Sequence, residues 1–153
     1  MAQNLMMRIG NEAMKIFLKS PFHKLFSGNL LLVTVTGHKS GKTYTTPVNY
    51  IQVEQIVYVT SKKGRTWWKN LRGGAEAVLR LRGKNIKTAT EVLEDEPEVA
   101  ARLAVYLENA TQYARYFGVS LDANGKINLE DVAKAAHNRV LILFQLPHQG
   151  QGI

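Results

Sequence analysis

Leu30-Leu31-Leu32-Val33-Thr34-Val35-Thr36, then Gly37-His38-Lys39-Ser40-Gly41-Lys42, then Thr43-Tyr44-Thr45-Thr46-Pro47-Val48-Asn49-Tyr50-Ile51-Gln52: the reading of this stretch decides the fold. Its first part is leucine and β-branched residues, which suit a buried strand. Two glycines bracket a basic turn. The third part is β-prone again but holds Pro47. Proline removes a ladder donor, so Thr43–Gln52 is expected at a sheet edge or with a bulge. Either would leave backbone groups free for a ligand.

Working outward, Ile56–Ser61 follows a short Glu54-Gln55 connection and predicts a hairpin. Thr66–Leu71 reads as one helical turn stopped by Gly73-Gly74. Ala75–Leu81 and Asn85–Val92 are two more strands joined through Gly83, and Arg139–Leu146 is the last. About six closely spaced strands with few helices predict a mainly β chain, a small antiparallel barrel. Pro97, flanked by acids, opens a helix with Val99, Leu103 and Tyr106 on one face. After a tyrosine-rich stretch, Asn124-Gly125 marks a loop and Asn128 caps a short helix to about Ala136.

At the other end, Leu5, Met6, Ile9, Ala13, Ile16 and Phe17 recur at helical spacing, predicting a helix over Gln3–Lys19 that Ser20-Pro21 ends. It either docks on the domain or touches a membrane surface or an apolar substrate. The tail from His148 to Ile153 has little to bury. With no repeat or linker, residues 1–153 read as a single domain, residues 1–20 being the N-terminal helix and 147–153 the loose tail.

A chain of 153 residues that is 45% hydrophobic and 21% charged can bury a core without staples. It has no cysteine, which excludes disulfides, zinc-thiolate sites and a cysteine nucleophile. No secretory pattern or membrane-length apolar run is present, so a cytoplasmic protein is expected. The formal charge of +8 points to an anionic partner. It is unevenly spread: between Gly37 and Lys87 the only acids are Glu54 and Glu76, among many lysines and arginines.

Several motifs fail. Gly37 to Thr43 resembles a triphosphate loop, but it is short by a residue and leads into a β-prone segment rather than a helix. Ser120 to Asp131 echoes a calcium loop with the wrong first and last ligands. His23, His38, His137 and His148 have no metal-ligand spacing, and no nucleophile elbow is present.

Three pieces cohere around the hairpin: the basic turn, the proline-bearing strand, and Ser61-Lys62-Lys63-Gly64-Arg65-Thr66-Trp67-Trp68-Lys69-Asn70-Leu71. Together they offer cations and hydroxyls for a phosphate and aromatic walls for a planar ring. Adjacent tryptophans on a helical turn face different ways, so one can belong to the core while the other lines a cleft.

Thr36-Gly37-His38-Lys39-Ser40-Gly41, Thr46-Pro47-Val48, Val59-Thr60-Ser61-Lys62 and Trp67-Trp68-Lys69-Asn70-Leu71, with their spacing, resemble the deazaflavin-dependent nitroreductase family of the split β-barrel, FMN-binding-like superfamily. The resemblance implies a split barrel and coenzyme F420, an 8-hydroxy-5-deazaflavin with a phosphate and a polyglutamate tail. It implies that His38, Lys39, Ser40, Ser61 and Lys62, with Thr60 beside them, hold the phosphate and tail. Tyr44, Thr46, Pro47 and Val48 would lie along the deazaflavin, and Trp67, Trp68 and Asn70 would close the far wall. Tyr113 and Tyr116 would face the substrate, and Ser61, Tyr113 or Tyr116 would hydrogen-bond the acceptor or supply a proton. The implied reaction is hydride transfer to a quinone, an enone or a nitroaromatic.

The stretch from Gly64 to Trp67 is shorter than the family's loop, which leaves FMN as second cofactor. A flavin, haem or lipid carrier on the same barrel is the non-catalytic alternative. Nucleic acid ranks last as a partner, because no nucleic-acid motif accompanies the charge. The chain is expected as a monomer or homodimer.

Overall fold

The computed structural model describes residues 30–37 and 39–148. The expected N-terminal helix and its membrane contact, His38, and the tail beyond His148 lie outside the described residues. The strands are β1 (Leu30–Thr36), β2 (Thr43–Asn49), β3 (Ile51–Val53), β4 (Ile56–Lys62), β5 (Glu76–Leu81), β6 (Lys84–Leu93) and β7 (Arg139–Gln145). Among the described residues they are joined by two α-helices, α1 (Glu96–Glu108) and α2 (Leu129–Ala136), and two 3-10 turns, Trp67–Leu71 and Thr111–Phe117.

The strands form one antiparallel sheet in the order β2-β1-β5-β6-β7-β4-β3. The described residues hold seven strands rather than six, because Thr43–Gln52 is not one strand. It breaks at Tyr50, which is buried at 3% exposure. The part before Tyr50 pairs with β1 and the part after it with β4. The two edge strands, β2 and β3, are therefore consecutive in the chain. Joining them at Tyr50 curls the sheet into the expected split barrel. Pro47 does sit on an edge strand, but the register from Thr43 to Asn49 is unbroken, so there is no bulge.

The hairpins follow local chemistry. Leu81 pairs with Lys84 across Arg82 and Gly83, whose φ values are 48° and 80°. Two left-handed residues in a two-residue loop match the right-handed twist of the strands. At α2, the Asn128 side chain accepts from the Asp131 N–H, the expected cap. In the calcium-like loop a side chain ties the backbone. Asp122 accepts from the N–H groups of Asn124 and Lys126, and Gly125 takes φ 77°.

Two apolar cores share the sheet. Inside the curl, Leu31, Val33, Val57, Val59, Leu79, Ile142 and Phe144 pack with Trp68 and Leu71. Outside, Tyr58, Leu141 and Leu143 pack with Val99, Leu103, Tyr106 and Leu107 of α1 and with Val132 and Ala136 of α2. Strand β7 serves both, which is why Val140–Phe144 is continuously apolar rather than alternating.

Candidate active site

The split comes from a mismatch in strand length. Strand β3 pairs only with Ile56–Tyr58, so Thr60–Lys62 of β4 has no strand on that side. Across the gap lies the end of β2. The resulting cleft, about 450 Å³, is lined by Pro47, Val48 and Asn49 on one side and by Thr60, Ser61 and Lys62 on the other. Arg65, Trp67, Tyr106, Tyr113, Tyr116, Phe117 and Arg139 complete the lining.

The loop after β4 is fixed by one carbonyl. The Lys62 carbonyl accepts from the Arg65 N–H at 3.1 Å and from Trp68 Nε1 at 3.2 Å. Trp68 is thereby drawn into the core, at 2% exposure, under the guanidinium of Arg72 at 4.9 Å. Trp67 turns the opposite way and donates from Nε1 to Ser61 Oγ at 3.2 Å. Ser61 is buried at 6% exposure and donates to the Lys62 carbonyl at 3.3 Å. Its hydroxyl is thus oriented from both sides, with one lone pair left for a ligand.

Among the described residues the cleft carries Lys62, Arg65 and Arg139 and no acidic residue. Lys62 and Arg139 are directly opposed in the β4–β7 register. Like charges at that spacing repel, and among the described residues no ion pair involves Lys62, Arg65 or Arg139. This is an arrangement that an anion would relieve.

Much of the lining is aromatic. Helix α1 delivers Tyr106 from its buried stripe. The 3-10 turn is pinned by Ala114 and ends at Gly118, whose φ of 73° lets the chain reverse so that Val119 returns to the core. It presents Tyr113 half-buried and Tyr116 at 75% exposure. The Tyr106 and Phe117 rings meet edge to face at 5.9 Å, and Tyr113 lies 6.5 Å from Tyr106. Burial first, and then Tyr113, push the Tyr106 phenol up to about 12 from an ordinary 10.0, while Arg139 pulls it down. At neutral pH it remains a donor. Among the described residues no hydrogen bond uses the hydroxyls of Tyr106, Tyr113 or Tyr116.

The expected site residues divide. Pro47, Val48, Thr60, Ser61, Lys62, Trp67, Tyr113 and Tyr116 line the cleft. Lys39, Ser40, Tyr44, Thr46, Trp68 and Asn70 do not. Trp68 belongs to the core rather than to the wall. Lys39 and Ser40 are exposed on the β1–β2 turn. There the N–H groups of Gly37 and Gly41 are engaged by the carbonyls of Lys42 and Gly37, and that of Lys42 by Ser40 Oγ. The turn therefore offers side chains more than free amides. Ser40 Oγ and the Tyr44 hydroxyl are 3.1 Å apart, and a Cβ on Gly37 would sit 2.7 Å from the Tyr44 ring, so any side chain there would have to displace that ring.

Asn49, Arg65, Tyr106, Phe117 and Arg139 line the cleft without having been expected there. Arg65 lay within a quoted motif, and Tyr106 was placed only on one face of a helix with Val99 and Leu103. Arg139, the one charge opening an apolar strand, was a signal that could have been used.

Comparison with known proteins bears on this cleft. The profile of the family described as F420H(2)-dependent quinone reductase matches residues 7–120. Three solved structures are similar in fold. A candidate 5-nitroimidazole antibiotic resistance protein of Bacteroides thetaiotaomicron has TM-score 0.53 and 14% identity, covering 78% of this chain and 74% of that one. An FAD and heme binding protein of Mycobacterium smegmatis has TM-score 0.52 and 12% identity, covering 78% and 61%. A domain-swapped dimer has TM-score 0.51 and 17% identity, covering 88% and 96%. The curated proteins give no match.

Proposed function

The chain belongs to the F420H2-dependent quinone reductase family and is an F420-dependent oxidoreductase, and from that premise we propose that its cleft reduces a quinone, with enones and nitroaromatics as poorer acceptors. The observation that carries this reading is the union, in one split of the barrel, of three cations with no acid among the described lining residues and of phenols whose hydroxyls make no hydrogen bond among the described residues.

The residues present fit the coenzyme. An anionic tail suits Lys62 and Arg65, which have no carboxylate partner among the described residues. A planar ring system suits the Trp67 face and the apolar Pro47-Val48 edge. When bound, the reduced deazaflavin supplies a hydride to the acceptor. Everything else falls to the chain. Trp67, itself fixed by Ser61, sets the plane of the ring and keeps water from it. Ser61 offers a lone pair toward that plane. Tyr113 and Tyr116 hydrogen-bond the acceptor oxygen on which negative charge develops, and one of them returns the proton that completes a hydroquinone. Tyr106, protonated well above neutral pH, backs that proton donor. Lys39 and Ser40, at the turn beside β2, hold the outer end of the tail.

The test is turnover of the reduced coenzyme with a naphthoquinone, an enone and a nitroaromatic, followed by return of the oxidised cofactor's absorbance. The naphthoquinone should have the highest kcat/KM, and Tyr113→Phe should lower it. Reduction of the nitroaromatic with none of the quinone would overturn the acceptor assignment, and no oxidation with any acceptor would overturn the catalytic reading.

A further inference from the structure

We propose that Arg139 seats a carboxylate on the hydride acceptor, so that among quinones this cleft is built for one that carries an acid group. This rests on the placement of the acceptor beside the tyrosines.

Arg139 is the one charged residue opening a strand whose next five positions are buried and apolar. Its guanidinium stands 4.4 Å from the centroid of the Phe117 ring and 5.8 Å from that of Tyr116. The Tyr116 and Phe117 rings stand at 84° to each other, so the guanidinium is held in an aromatic corner rather than flat on both faces. Its planar fork suits the two oxygens of a carboxylate, and the flanking rings suit an aromatic body.

The anion is called for by the register. Lys62 lies directly opposite Arg139, and among the described residues no acid lines the cleft and Arg139 has no carboxylate partner. The cofactor's tail is one anion for these cations, and a carboxylate on the acceptor would be a second. Lys62 shares its loop with Arg65 and its carbonyl with Trp68. Arg139 leans the other way, onto the rings of the Thr111–Phe117 turn. The pair is thus divided, with Lys62 for the cofactor's tail and Arg139 for the acceptor.

The probes are 2-naphthoate and its methyl ester, neither of which accepts a hydride, titrated calorimetrically into the protein with and without oxidised F420. Native protein should bind the acid about tenfold or more tightly than the ester, the scale of one charged hydrogen-bonded contact. That preference should vanish in Arg139→Gln, survive in part in Arg139→Lys, and shrink in Phe117→Leu, which removes the stacking platform. Circular dichroism checks that each variant is folded. Equal binding of acid and ester by native protein, or a preference that survives Arg139→Gln, would overturn the proposal. A loss of F420 affinity in Arg139→Gln with the preference intact would also overturn it and assign the arginine to the tail. A native protein that fails to bind F420 would refute the cofactor reading instead, and the titration without cofactor would still decide the carboxylate site.

Discussion

Replacing Lys62 by glutamine should make the protein more stable and worse at its task. The Lys62 side chain is exposed, and its register partner is Arg139. No carboxylate neutralises either among the described residues. Directly opposed side chains on neighbouring strands interact by about 0.2–1 kcal/mol, and like charges do so unfavourably. Removing one charge should therefore raise the unfolding free energy by roughly that amount. The backbone role of residue 62 is untouched, because its carbonyl still accepts from the Arg65 N–H and from Trp68 Nε1. If Lys62 grips the cofactor's tail, the same change removes a charged hydrogen bond worth about 1.5–3 kcal/mol. At about 1.4 kcal/mol per tenfold, that weakens binding by roughly ten- to 150-fold. Urea unfolding and a fluorescence titration with F420 read the two quantities on one sample. Opposite signs are expected. A loss of stability together with affinity would make Lys62 structural, and an unchanged affinity would put the tail elsewhere.

The paired tryptophans should separate cleanly. Trp68→Ala empties a buried site and should cost about 3–5 kcal/mol in urea unfolding, whereas Trp67→Leu should cost far less yet weaken F420 binding and remove most of the tryptophan quenching that F420 causes. Tyr106 should write itself into the alkaline limb of stability. Its folded value of about 12 lies above the ordinary 10.0, so its contribution is fully present below 10.0 and is lost as pH rises toward about 12. Urea midpoints across that window should fall in the native protein and fall less in Tyr106→Phe. An equal fall in both would mean that Tyr106 does not drive it.

Local chemistry made most of the barrel legible. The apolar run of β7, the two-residue turn at Arg82-Gly83 and the Asn128 cap each follow from residues close in sequence. The break at Tyr50 does not, because β-propensity continues through Tyr50-Ile51-Gln52 and only closure of the sheet decides that its two halves pair with different strands. Pro47 correctly signalled an edge, but the opening it marks comes from the shortness of β3 rather than from a bulge. The opposite facing of Trp67 and Trp68 was legible, while which of them is buried was set by the Lys62 carbonyl. Arg139 and Tyr106 escaped notice for a similar reason. Their meeting with Lys62 and Tyr113 is made by strand register and helix docking, and no spacing in the sequence encodes it.

The most direct measurement is equilibrium binding of oxidised F420 and of FMN to the same protein, each followed by its own fluorescence. A cleft shaped by Lys62, Arg65 and Trp67 for a deazaflavin with an anionic tail should bind F420 the more tightly, with an affinity that drops in Lys62→Gln and with added salt. FMN binding as tightly as F420, or neither binding, would contradict it.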